Sequence, residues 1–107
     1  MVVYVLLFSL LEFQVIVVPS EITSTIGKDV VFNCTVEPLI LLETVSISWT
    51  KVTSTGSTFL TSMRTLSLKN LKKSDAGQYT CIGESGGKTS EDSGIITIKG
   101  SYIFYLF

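Results

Sequence analysis

The residues best equipped for chemistry in this chain are few. They are Cys34 and Cys81, which lie 47 positions apart; the tripeptide Asn33-Cys34-Thr35; the adjacent carboxylates Glu91 and Asp92; and the lysines Lys69, Lys72 and Lys73. The 107 residues include no histidine, which removes Ser-His-Asp and Cys-His catalysis and every histidine metal site. Two cysteines cannot build a four-cysteine zinc site, but both could sit in one disulfide. On a strand, Glu91 and Asp92 would face opposite ways, and in a loop they would be solvated, so neither arrangement makes a metal site. The lysines read as a solvated loop. Asn33-Cys34-Thr35 is an N-x-T acceptor sequence for N-linked glycosylation. Ser and Thr are plentiful, but they fall in strand and turn segments, where they bond the local backbone. No nucleophile with a base, no paired acids and no metal set is legible, so no catalytic residue, metal or cofactor is expected. Eight basic residues against nine acidic ones give a net charge of −1, with no electrostatic footprint for nucleic acid or an anionic membrane.

The elements that must position these residues are strands. Val30, Phe32, Cys34 and Val36 alternate with Val31, Asn33 and Thr35, the period of a half-buried strand. Val45, Ile47 and Trp49 alternate with Ser46, Ser48 and Thr50. Leu66 and Leu68 alternate with Thr65, Ser67 and Lys69. Tyr79 and Cys81 share one face, with Gln78, Thr80 and Ile82 on the other, and Ile96 and Ile98 alternate with Ile95 and Thr97. Gly27-Lys28-Asp29, Thr53–Ser57, Ser74–Gly77 and Glu84–Gly87 supply turn chemistry between them. Many short strands with regular turns and no helical period over residues 20–100 predict a β-sandwich. Cys34, Trp49 and Cys81 then fall on three strands, each facing inward.

Asp75-Ala76-Gly77-Gln78-Tyr79-Thr80-Cys81 resembles strand F of an immunoglobulin-superfamily domain. Gly27 to Cys34 is similar to the turn into strand B of that family, Trp49 to its strand C tryptophan, and Leu66, Leu68 and Leu71 to its strand E and exit. The resemblance covers residues 15–100. It implies an all-β, Greek-key sandwich with one inter-sheet disulfide, Cys34–Cys81, and Trp49 packed on it. It further implies a Tyr79 hydroxyl tied to upstream backbone, and a corner before strand F held by Asp75 and Gly77, with Arg64 as a candidate partner of Asp75. The stretch between Trp49 and Leu66 leaves room for one further short strand. That length resembles the I-set or C2-set domains of adhesion molecules and cell-surface receptors. Ile82–Gly87 departs from the I-set hairpin, with glycine for alanine at Gly83, so the two sets stay open.

A disulfide implies an oxidising compartment, so the chain is expected to be extracellular, secreted or part of a cell-surface ectodomain. Cys34 facing inward puts Asn33 outward, where a glycan would cover part of the sheet of strands A, B, E and D. The sheet of strands C, F and G is left as the contact face. Its outward residues are Ser46, Ser48, Thr50, Gln78, Thr80 and Ile82, with Glu84 and Lys88 flanking the turn after strand F. The implied function is a non-catalytic recognition or adhesion module of a cell-surface receptor, an immune one included. It would bind a protein ligand or counter-receptor, homophilic or heterophilic. A spacer in a longer ectodomain, a secreted single-domain binder and an intracellular I-set domain are the alternatives.

The ends are more apolar than the middle. Met1 to Leu11 is interrupted only by Ser9 and has the length of a secretory hydrophobic region. Residues 1–14 are therefore expected to be a signal peptide with an open boundary. A first strand at 13–18 and a retained signal anchor are the other readings. Residues 101–107 form an apolar tail that is too short to span a bilayer and is read as a candidate truncated segment. Membrane attachment would need a segment not present in full.

Overall fold

The computed structural model describes residues 12–100. The expected apolar tail at 101–107, and all but the last three residues of the expected signal peptide, lie outside the described residues.

Among the described residues, eight strands form two sheets. The smaller sheet has the order β1-β3-β6: β1 (Gln14–Val18), β3 (Val30–Glu37) and β6 (Thr65–Leu68), all antiparallel. The larger has the order β2-β8-β7-β4-β5: β2 (Glu21–Thr25), β8 (Lys88–Lys99), β7 (Gly77–Ser85), β4 (Ser46–Thr53) and β5 (Gly56–Thr61). Its pairs are antiparallel except β2–β8, which run parallel. The period-two pattern is kept where it was read. Val30, Phe32, Cys34 and Val36 are buried along β3, Ile47 and Trp49 along β4, and Tyr79 and Cys81 along β7. These inner rows meet in one core with Val15, Val17, Leu66, Leu71 and Ile96.

The chain changes sheet between β1 and β2, at Pro19. Lacking an N–H, proline cannot continue a ladder, and β2 restarts against β8. The outer edge of β1 is left facing β8, whose side chains satisfy it. The Val15 N–H donates to Ser90 Oγ (3.2 Å) and the Val17 N–H to Asp92 Oδ2 (2.8 Å). Glu91 and Asp92 do face opposite ways, and Asp92 closes the seam between the sheets rather than standing in solvent. A buried N–H without a partner costs ~1–3 kcal/mol, and the Asp92 carboxylate removes that penalty.

The smaller sheet lacks the fourth strand expected beside A, B and E, among the described residues. The turn at Ser54-Thr55 folds β5 straight back on β4, in register from Thr53↔Gly56 to Thr50↔Phe59. Only Ser62, Met63 and Arg64 then cross to β6. That link is too short to hold another strand. The β7–β8 reversal uses Gly86 and Gly87, with φ of 57° and 80°, between the paired Ser85 and Lys88. Two consecutive positive φ angles are what a two-residue hairpin turn of this hand requires. A 3-10 turn, Leu39–Thr44, joins β3 to β4 and leaves Ile40 86% exposed; its apolar sequence gave no sign of a helical turn.

Gly94 of β8 backs onto the Phe32 ring across the core, with no room for a side chain. A Cβ there would overlap the Phe32 ring, which is fully buried. Gly94→Ala is expected to destabilise the fold by ~1–3 kcal/mol through overpacking, read as a lower urea midpoint at unchanged slope. An unchanged midpoint would mean that the sheets can separate at no cost.

Candidate functional site

Two constellations emerge, one inside the sandwich and one on its surface. The internal one is the staple between the sheets. Cys34 on β3 and Cys81 on β7 are disulfide-bonded, with Cα atoms 6.4 Å apart. Trp49 lies beside Cys81 across the β4–β7 ladder, is fully buried, and stacks on Phe32 at 5.8 Å between centroids. Its indole N–H donates to the Arg64 carbonyl at 3.1 Å, and the same oxygen accepts the Cys34 N–H at 2.9 Å. One backbone carbonyl in the β5–β6 link thus binds both the tryptophan and the cysteine strand.

The Tyr79 hydroxyl donates to the Asp75 carbonyl at 2.6 Å, and Asp75 Oδ2 accepts the Lys72 N–H at 2.7 Å. Asp75 therefore fixes the corner before β7 through backbone contacts. Arg64 takes no part in it, contrary to the expected pairing. Its guanidinium lies 3.8 Å from Glu43. Arg64 precedes β6 and Asp75 follows it, so the strand's length separates them. Lys51 reaches over the Tyr79 ring, with Nζ 5.5 Å from its centroid, and donates to the Ser74 carbonyl. Leu66 and Leu71 are buried and Leu68 is half-buried beneath this corner.

Burial, with the nearby Asp75 charge adding to it, pushes the Tyr79 phenol up from 10.0 to about 12. A raised acid pKa favours the protonated folded state, so its stabilisation is complete below pH 10.0 and is lost as pH rises toward about 12. Urea midpoints measured across that window should fall for the native chain more steeply than for Tyr79→Phe. At neutral pH the same variant should be weaker by ~1 kcal/mol for the lost hydrogen bond. Equal slopes for the two proteins would contradict a buried phenol.

The surface constellation is the outward face of the larger sheet. Ser46, Gln78, Glu84 and Lys88 are exposed there, and Ser48, Thr50, Thr80 and Ile82 are half-exposed. The register sets Ser46 beside Glu84, Ser48 beside Ile82 and Thr50 beside Thr80. The expected contact residues of β4 and β7 therefore form one continuous field. Ser93 of β8 joins it. Thr80 Oγ1 and Ser93 Oγ lie 2.9 Å apart, and Gln78 Nε2 donates to Ser93 Oγ at 3.0 Å. Lys88 sits at the end of the field, 3.8 Å from Glu12.

Beyond Ile82, sequence reasoning missed the apolar members of this face. Phe59 on β5 pairs with Thr50 and is 62% exposed; Val52 and Ile95 extend the same surface on β4 and β8. Phe59-Leu60 offers two apolar neighbours, and alternation alone leaves open which of them faces the core. A register shift between Trp49 and Thr50 decides it, tucking Leu60 against the core and turning Phe59 out. Among the described residues no group of His, Cys, Asp and Glu could hold a metal ion, and no helix is long and apolar enough to cross a membrane.

No curated protein sequence matches the chain. Among solved structures, it is similar to the N-terminal four Ig domains of Dscam1 isoform 1.9, with a TM-score of 0.70 and 22% identity over 82% of this chain and 21% of that one. It is also similar to the N-terminal eight Ig domains of Down Syndrome Cell Adhesion Molecule isoform 1.30.30. There the TM-score is 0.67 and the identity 24%, over 84% of this chain and 12% of that one. The chain thus spans only a small part of the length of either structure, and at these identities the likeness is one of fold. A family model described as an immunoglobulin domain matches residues 14–85. With that match, the two-sheet architecture, the Cys34–Cys81 staple, the buried Trp49 and the Tyr79 corner, the chain belongs to the immunoglobulin-domain family.

Proposed function

We propose that this domain is an extracellular, non-catalytic recognition module of adhesion type, which docks a protein partner on the outward face of its larger sheet. The observation that carries the reading is the exposed Phe59, set with Val52 and Ile95 around a field of Ser and Thr hydroxyls. Aromatic side chains supply much of the energy at protein interfaces, and Phe59 is an exposed aromatic anchor on this face. The disulfide supports an oxidising compartment. The likeness in fold to domains of a protein named as a cell adhesion molecule supports the adhesion class. Both cysteines are bonded to each other and the chain lacks histidine, so binding rather than catalysis suits the residues present.

One weak face gains strength from repetition, so the test uses the full chain displayed in many copies on beads. Beads carrying the native chain are expected to bind cell surfaces or each other. Phe59→Ser and Thr80→Arg should each weaken that binding by about tenfold, the equivalent of ~1.4 kcal/mol, without moving the melting temperature. Full binding by both variants would place the contact elsewhere, and no binding by the native chain would favour a spacer.

A further inference from the structure

The outward face of the smaller sheet has a different make-up. Asn33 stands at its centre on β3, paired with Val18 of β1 on one side and Thr65 of β6 on the other. Around it lie Ile16, Val18 and Val31, the last two 53% and 42% exposed. They form a small aliphatic patch on an open sheet, bordered by Thr35, Thr65 and Ser67, and such a patch gains from being covered. The chain has two asparagines, and only Asn33 is followed two places on by Ser or Thr. The acceptor sequence therefore falls on the middle strand of the smaller sheet, beside three branched aliphatic side chains.

The side-chain geometry suits a modified amide. Thr65 Oγ1 donates to Asn33 Oδ1 at 2.9 Å. That bond holds the carboxamide oxygen toward β6 and leaves the nitrogen on the far side of the group. Replacing one amide hydrogen by a sugar keeps the bond intact, because only the oxygen is used.

We propose that Asn33 carries an N-linked oligosaccharide, and that its first sugars lie over Ile16, Val18 and Val31 and close the smaller sheet to protein contact. The sugar C–H faces pack on the aliphatic side chains and the hydroxyls face water. The larger sheet is then the open docking face. In the transfer, Asn33 Nδ2 attacks the anomeric carbon of an oligosaccharide carried on a lipid pyrophosphate. The C–N bond forms, the anomeric C–O bond breaks, the lipid pyrophosphate leaves, and a carboxylate of the transferring enzyme takes the amide proton. Because β3 is the middle strand of its sheet, transfer precedes its pairing with β1 and β6. The inference rests on the extracellular reading, since transfer occurs in the secretory lumen.

The test is secretion of the full chain from a eukaryotic cell beside Asn33→Gln, Thr35→Ala and Thr35→Ser, with intact masses taken before and after enzymatic release of N-linked sugars. Native and Thr35→Ser chains should lose a glycan mass and gain aspartate at position 33; the other two should not. Two sequon-breaking variants keep the result readable if one of them folds poorly. Hydroxyl-radical labelling of Val18 and Val31 should rise severalfold once the glycan is released. A secreted chain with an intact Cys34–Cys81 bond and a bare Asn33 overturns the proposal and leaves the extracellular reading standing. A chain retained in the cytosol with free thiols overturns both. Unchanged labelling after release overturns the covering role.

Discussion

Trp49→Ala should lower the unfolding free energy by ~3–5 kcal/mol, out of a total of ~5–15 kcal/mol for a domain of this size. Three losses combine. The ring is fully buried, so its removal opens a cavity between rigid sheets. Phe32 loses the neighbour it stacks on at 5.8 Å. The Arg64 carbonyl loses the indole N–H and keeps only the Cys34 N–H. Trp49 is the only tryptophan, so the transition must be followed by circular dichroism in urea rather than by its own fluorescence. Trp49→Phe restores part of the volume without the hydrogen bond and should fall between the two. If Trp49→Ala shifted the midpoint no more than an exposed-residue control, the inner face assigned to β4 would be wrong.

Removing the staple should cost about as much by a different route. In the chain-entropy model, closing a 47-residue loop restricts the unfolded chain by ~4 kcal/mol. The double variant Cys34→Ala, Cys81→Ala should therefore unfold near body temperature, while the oxidised chain stays folded well above it. Scanning calorimetry of the two proteins checks this. Both cysteines are buried, at 3% and 0% exposure, so a reductant reaches the bond only when the sandwich opens. Reduction of the native chain should accordingly track the unfolding rate and speed up in urea. Reduction at the rate of a free peptide disulfide would contradict the buried placement.

Much of this was legible in the residues. Inner rows such as Phe32-x-Cys34 and Ile47-x-Trp49 pair an apolar residue with a polar neighbour, so alternation fixes their faces. The D-A-G-x-Y-T-C run placed the corner, because Tyr79 finds its carbonyl acceptor only four residues upstream. Where alternation is ambiguous, prediction stopped. Phe59-Leu60 could face either way until the bulge against β4 set the register. The sheet to which β5 belongs depended on a two-residue turn, and the parallel β2–β8 pairing joins segments far apart in the chain. The role of Asp92 was not legible, because its partner, the Val17 N–H, is a backbone group 75 positions away. Family likeness matches Arg64 to Asp75, whereas its side chain meets the Glu43 carboxylate.

The central claim is an immunoglobulin-type sandwich that folds in an oxidising compartment to present a docking face. Its most direct test is non-reducing peptide mapping of the chain recovered from the medium of a eukaryotic cell, with alkylation of any free thiol. The prediction is a single linked peptide pair containing Cys34 and Cys81, with neither cysteine alkylated. A chain that stays inside the cell with both cysteines alkylated would contradict the claim.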